Sequence, residues 1–191
     1  PPPPRVGVRR IRTDRGVAGR YGGATMTIIK TLIFTILVPG SITIGIPYLL
    51  LSSGLRRYSF EIGAPRFLGI GLIALGAVFY LWCARDFAIA GKGTPAPLDP
   101  PKLLVRRGLY RLTRNPIYLG VLLLLIGETI LFESLTLLAY ALVLWIVFHL
   151  FVISYEEPTL KRQFGGAYDE YCSAVPRWVP SLKRAKRESR Q

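Results

Sequence analysis

Residues 117–132, IYLGVLLLLIGETILF, and residues 135–155, LTLLAYALVLWIVFHLFVISY, are two apolar runs separated by only Glu133 and Ser134. Glu128 is the one acid in the first run, and His149 the one basic side chain in the second. An α-helix rises about 1.5 Å per residue, so ~20 apolar residues span a ~30 Å hydrocarbon core. The pair therefore reads as a membrane hairpin. Upstream, residues 28–53 carry only Lys30, and residues 67–84 carry no charge between Arg66 and Arg85. The expected fold is an all-α integral membrane protein with four transmembrane helices in two hairpins, followed by a cytoplasmic C-terminal segment. The block at 28–53 is too long for the apolar region of a secretory signal, and further spans follow it. Pro39, Gly40, Gly45 and Pro47 lie inside it and predict a local departure from a straight helix.

The chain has 191 residues, 51% of them hydrophobic, and a formal net charge of +14 from 25 Lys+Arg and 11 Asp+Glu. Basic residues cluster before the first span, between the second and third, and after the fourth. The third-to-fourth connection has none, and the first-to-second has only Arg56, Arg57 and Arg66. The positive-inside rule then places both termini and residues 85–116 in the cytoplasm. Charges in those positions suit anionic lipid headgroups, so nucleic acid is not an expected partner. Cys83 and Cys172 are the only cysteines and lack metal-ligand spacing, so neither a disulfide frame nor a metal site is expected.

Four regions follow. Residues 1–25 read as a disordered basic extension, with the single methionine, Met26, a candidate start just after it. Residues 26–90 form the first hairpin. Residues 91–182 hold a Pro-rich loop, a basic segment at 102–113 suited to the membrane surface, the second hairpin and a Tyr-rich C-terminal segment. Residues 183–191 are a basic tail.

Ionisable groups in or beside spans are costly, which makes them informative. Arg85 and Asp86 close the second span and read equally as an interfacial pair or as functional groups. Glu128 sits toward the outer end of the third span and reads as a structural hydrogen-bonding residue. His149 and Glu156 are seven apart, two α-helical turns, so they are expected on one face of the fourth helix, with Ile153 between them. A lone histidine there is most simply a packing residue. The adjacent Glu156 and Glu157 at a basic inner interface carry more weight. Pro116 suits a helix first turn, which leaves Arg114 and Asn115 at a helix N-terminus that favours an anion.

RNPIYLG (114–120), YEEPTL (155–160), FGGAYDEY (164–171) and VPRWVP (175–180), in that order, resemble the isoprenylcysteine carboxyl methyltransferase family, which is grouped with the phospholipid methyltransferases. The resemblance covers about residues 104–180. It implies an S-adenosylmethionine-dependent membrane methyltransferase whose cofactor pocket lies between the last helices and the C-terminal segment. The implied catalytic residues are Arg114 and Glu156. The implied cofactor-binding residues are Asn115, Pro116, Tyr118, Glu157, Tyr168, Tyr171 and Arg177. The cofactor's carboxylate suits the basic helix start, its ammonium suits Glu156 or Glu157, and its ring and ribose suit Tyr118, Tyr168 or Tyr171. Tyrosine faces also attract a sulfonium.

A carboxylate acceptor needs only an arginine such as Arg114 to orient it, whereas an amine needs a carboxylate to take its proton. The implied acceptor is lipid-like, a prenylated small molecule or peptide entering from the inner leaflet. Asn115 stands where eukaryotic members usually carry histidine, which resembles prokaryotic relatives and implies a prokaryotic inner membrane. The soluble methyltransferase fold would show a Gly-rich strand–helix turn, and Gly69-Ile70-Gly71 lacks that context. The rival readings are phospholipid amine N-methylation, a membrane reductase using a nicotinamide cofactor, and a non-catalytic scaffold or small transporter.

Overall fold

The computed structural model describes residues 37–53, 59–86 and 103–180; the expectations for residues 1–25 and 183–191 and for the Pro-rich loop lie outside them. The described chain is all-α, its only strand-like pairing an isolated antiparallel bridge between Ser59 and Ser134. Helix α1 is Leu37–Ser52, α2 Ala64–Asp86, α3 Pro116–Leu131, α4 Leu135–Phe164 and α5 Gly166–Ala174. Of these, α2 with 23 residues and α4 with 30 are long and apolar enough to cross a membrane; α1 and α3 are apolar but shorter.

The most extensive helix pair is α2 with α3, one from each expected hairpin. Glycines explain the closeness. A Cβ on Gly76 would lie 2.6 Å from the Gly120 carbonyl oxygen, and one on Gly127 would lie 2.7 Å from that of Gly69. These pairings ascend one helix while descending the other, so the helices run antiparallel with backbones touching. Lipid tails are as apolar as leucine, so apolarity alone does not drive helices together in a membrane; small residues that admit close backbone contact do. Leu125 beside this seam is fully buried, and Tyr80, Ala84, Val121 and Ala141 complete the cluster that joins α2, α3 and α4. Helix α1 is tied to α4 by Tyr140, whose hydroxyl donates to the Ile42 carbonyl at 3.0 Å.

Pro47 in α1 and Pro158 in α4 each sit just beyond a wider π-turn. A proline ring clashes with the carbonyl four residues back and offers no N–H. Immediately before Pro47, the Ile46 N–H reaches back five residues to the Ser41 carbonyl. Immediately before Pro158, the Glu157 N–H does the same to Val152. The departure expected in the first span is thus the π-turn Ser41–Gly45, and α4 carries its own at Val152–Glu156.

At one end of the bundle, Glu133 has a positive φ of 51° and its side chain accepts from the Ile62 and Gly63 N–H groups at 2.9 and 3.0 Å. Arg66 stands 3.7 Å from the same carboxylate. These bonds hold Glu133 below the usual carboxylate range, the Ile62 N–H contributing most. At the other end, residues 103–107 are not helical and lead into a 3-10 turn, Gly108–Arg111. Gly108 takes φ 58° tight against Asp86, and Arg107 bonds the buried Asp86 carboxylate at 3.0 Å. Asp86 therefore anchors the basic segment to the end of α2.

Candidate active site

The C-terminal segment folds back onto the start of α3. Gly165, at φ 53°, turns the chain from α4 into α5, and residues 175–178 then lie along residues 113–115. The Arg114 N–H donates to the Pro176 carbonyl at 2.9 Å. The Arg177 carbonyl accepts from the Thr113 hydroxyl at 2.9 Å and from the Asn115 amide at 3.1 Å. Asn115 is buried, and Pro116 behind it is fully so. Their observed work is to seat the returning segment.

Above this seat two carboxylates are held by different partners. Glu157 takes both arginines: Arg177 forks onto it through Nε at 2.7 Å and Nη2 at 2.8 Å, and Arg114 Nη1 approaches at 3.0 Å. The carboxylate bonds raise the Arg177 guanidinium above its already high value. Glu156 accepts from the Tyr118 hydroxyl at 2.8 Å through Oε2. Tyr118 also packs its ring on Phe148 (centroids 4.7 Å apart) and faces Trp178 at 6.4 Å.

The expectation that His149 and Glu156 share a face is corrected here. A π-turn holds one residue more than an α-turn, so the insertion at Val152–Glu156 rotates everything beyond it by about one residue. Glu157, not Glu156, comes into line with His149. The partners agree, since Glu157 meets Arg177 while the His149 Nδ1 accepts from the indole of the next residue, Trp178, at 3.1 Å. Glu156 is turned round to Tyr118.

Tyr168 and Tyr171 are buried in a cluster with Val175, and the Tyr168 hydroxyl lies near Cys172, Glu157 and Arg114. The Tyr171 hydroxyl donates to the Tyr110 carbonyl at 2.7 Å, and the Arg106 guanidinium lies 5.7 Å over its ring while bonding the Ala167 carbonyl. Burial pushes both phenols above their usual range, so they remain neutral. Tyr171 fixes α5 against the 103–111 segment. Cys172 meets Arg114 Nη1. Glu128 lies more than three turns beyond the start of α3, with a buried Oε2 that finds no partner among the described residues.

Of the nine residues expected at the site, Arg114, Asn115, Pro116, Tyr118, Glu156, Glu157 and Arg177 are brought together, Tyr168 lies near Glu157 and Arg114, and Tyr171 is turned to Tyr110 and Arg106. Thr113, Phe148 and Trp178 were missed. Trp178 is the one indole beyond the spans, which is the signal that could have found it.

The arrangement has the residue types that suit a cationic, carboxylate-bearing methyl donor: two arginines, a carboxylate that accepts from Tyr118, and aromatic faces beside it. Arg114 also has an open donor, because its buried Nε has no hydrogen-bond partner among the described residues. A buried guanidinium donor without an acceptor is costly, so an anionic oxygen fits there.

The fold and site are those of an all-helical membrane protein that places arginines, carboxylates and aromatics where its apolar helices end. The profile of the phospholipid methyltransferase family matches residues 65–167, from α2 into α5, and the chain belongs to that family. It is 40% identical over 78 residues to protein-S-isoprenylcysteine O-methyltransferase B of Arabidopsis thaliana, covering 40% of this chain and 39% of that protein. It is 38% identical over 81 residues to the probable protein-S-isoprenylcysteine O-methyltransferase of Oryza sativa subsp. indica, covering 42% of each. The matched stretches thus span about two fifths of those relatives. Both are plant proteins, so they lend no support to the prokaryotic reading of Asn115.

Proposed function

We propose that the chain transfers a methyl group from S-adenosylmethionine to a lipid-like acceptor held in the inner leaflet, the acceptor atom being a carboxylate of isoprenylcysteine type. The reading takes α1 to α4 as four membrane spans with both termini cytoplasmic, following the distribution of basic residues. The single observation that carries it is the pair of carboxylates split by the α4 π-turn, Glu157 clamped by Arg114 and Arg177 and Glu156 left to Tyr118.

S-adenosylmethionine supplies an electrophilic methyl on a cationic sulfur. The Glu156 carboxylate, which accepts from Tyr118 through Oε2, suits the ammonium of that molecule. Arg177, with a third of its side chain exposed, suits the carboxylate. The Tyr118 and Trp178 faces suit the sulfonium, an attraction of up to about 2 kcal/mol when desolvated. Arg114 Nε is placed to orient the acceptor carboxylate, which needs no base. Phe148 and the spans exclude water, and the catalysis is chiefly alignment. An amine acceptor is the second reading. It is favoured by the family's description as phospholipid methyltransferases and by the Glu156 carboxylate, which could take the amine's proton.

Calorimetric titration of S-adenosylhomocysteine into the detergent-purified chain tests the proposal, with Glu156→Ala alongside. Micromolar binding lost in the variant is expected. A folded wild type that ignores S-adenosylhomocysteine, or binds a nicotinamide dinucleotide instead, refutes it.

A further inference from the structure

His149 is the one basic side chain in the apolar run of α4, and the reaction above does not use it. It is half-buried, and its contacts all lead one way. Trp145, one turn earlier, stacks on the imidazole with centroids 5.9 Å apart and planes 22° apart. Trp178 tilts against it at 6.1 Å and donates its indole N–H to Nδ1 at 3.1 Å. An indole nitrogen can only donate, so Nδ1 is the acceptor and the ring's proton is on Nε2. A span residue thereby holds a residue of the returning C-terminal segment.

Residue 177 lies between that bond and the Asn115 seat. Its carbonyl is fixed by Thr113 and Asn115, and the bond from Trp178 fixes the chain just beyond it. Two anchors on adjacent residues leave the Arg177 side chain little choice of direction, and it forks onto Glu157. The π-turn makes this possible by bringing His149 and Glu157 into line on α4. Remove the His149 acceptor and the indole loses its partner. The backbone of 177–178 would keep its bonds from Thr113 and Asn115, but the side-chain anchor of Trp178 to α4 would be gone, and the fork onto Glu157 would be held less firmly.

We propose that His149 is a positioning residue for Arg177, acting through Trp178 to hold the arginine arm over the cofactor-side carboxylates. The inference deepens the methyltransferase reading and rests on it for its ligand, but not for its geometry. His149 touches neither reactant; its effect is transmitted by the 177–178 peptide.

The test uses the full chain in detergent micelles and S-adenosylhomocysteine as the probe, titrated calorimetrically. His149→Phe keeps the ring packing and removes the acceptor; His149→Asn places an amide oxygen near the Nδ1 position. Trp178→Phe removes the donor. His149→Phe and Trp178→Phe should each weaken binding roughly five- to tenfold, about the worth of one hydrogen bond. The double variant should be no worse than either single, and His149→Asn should restore binding to within about threefold. Equal affinity in wild type and His149→Phe overturns the inference, as do additive losses or a folded His149→Asn as weak as His149→Phe.

A second cycle needs no ligand. Thermal unfolding of His149→Phe, Arg177→Gln and their double should show coupling between the two sites that disappears in a Trp178→Phe background. If wild type does not bind S-adenosylhomocysteine, the methyltransferase reading falls. This cycle then decides the positioning role alone: coupling sustains it, and its absence overturns it.

Discussion

Replacing Glu157 with alanine separates the carboxylate that clamps the two arginines from the one proposed to meet the donor. In the folded chain Glu157 faces Arg114, whose side chain is only 13% exposed, and Arg177, which is 34% exposed. Removing one partner of a buried pair typically costs ~3–5 kcal/mol, because the remaining charge stays uncompensated. Arg114 retains some access to solvent and a contact with Cys172, so its share belongs below that range, at about 2 kcal/mol. The more exposed Arg177 adds ~1 kcal/mol at most. The sum is about 3 kcal/mol, and a chain of this size shifts its Tm by roughly 2–4 °C per kcal/mol, so the expected drop is roughly 6–12 °C.

Glu156→Gln loses only the charge on a bond to one tyrosine hydroxyl, worth about 1 kcal/mol or roughly 2–4 °C. Binding should rank the two variants the other way relative to stability. Glu156→Gln should abolish S-adenosylhomocysteine binding in a protein of near-normal Tm. Differential scanning fluorimetry in detergent, with calorimetry on the same samples, gives both numbers. A Glu157→Ala protein with wild-type Tm beside a collapsed Glu156→Gln would refute the assignment of the two carboxylates.

Gly76→Val should be far more damaging than its chemistry suggests, because even its Cβ would lie 2.6 Å from the Gly120 carbonyl oxygen; loss of monodisperse protein on size-exclusion chromatography is expected, and a normal profile counts against the backbone-contact seam. Pro158→Ala frees the α4 helix to close its π-turn, which would rotate Glu156 and Glu157 away from their partners. Circular dichroism should report undiminished helix while S-adenosylhomocysteine affinity falls more than tenfold, and retained affinity would show that the proline does not set the phase. Glu133 gives a pH signature. Its folded value lies below the ordinary ~4.3 of a free glutamate, so its contribution is present above that value and is lost as pH falls through the depressed one. Tm measured from pH 6 down to pH 3 should fall less steeply in Glu133→Gln than in wild type, and parallel curves would exclude this group.

The apolar blocks were legible because a hydrocarbon core imposes a length, and length is written along the chain. The described helices α2, α3 and α4 begin within about three residues of the blocks read from composition. Arg114, Asn115 and Pro116 were legible as a helix start for a similar reason, since a proline's missing N–H constrains only its own neighbourhood. The pairing of the carboxylates was not. Spacing along an unbroken α-helix puts His149 with Glu156, whereas the folded helix puts His149 with Glu157. The cause is steric: the Pro158 ring forces the preceding turn to widen, and one added residue turns the rest of the helix by about a quarter of its circumference.

Nor could the sequence show that Tyr171 is bonded back to the 103–111 segment. Its partners, Tyr110 and Arg106, lie about sixty residues away and meet it only when α5 folds back. Sequence alone determined that this chain is built of apolar helices bounded by basic segments, because hydrophobic length and charge are local properties. Which arginine meets which carboxylate, and which tyrosine bonds Glu156, only the tertiary structure decided, because those contacts depend on the phase of one helix and on the return of a segment from far along the chain.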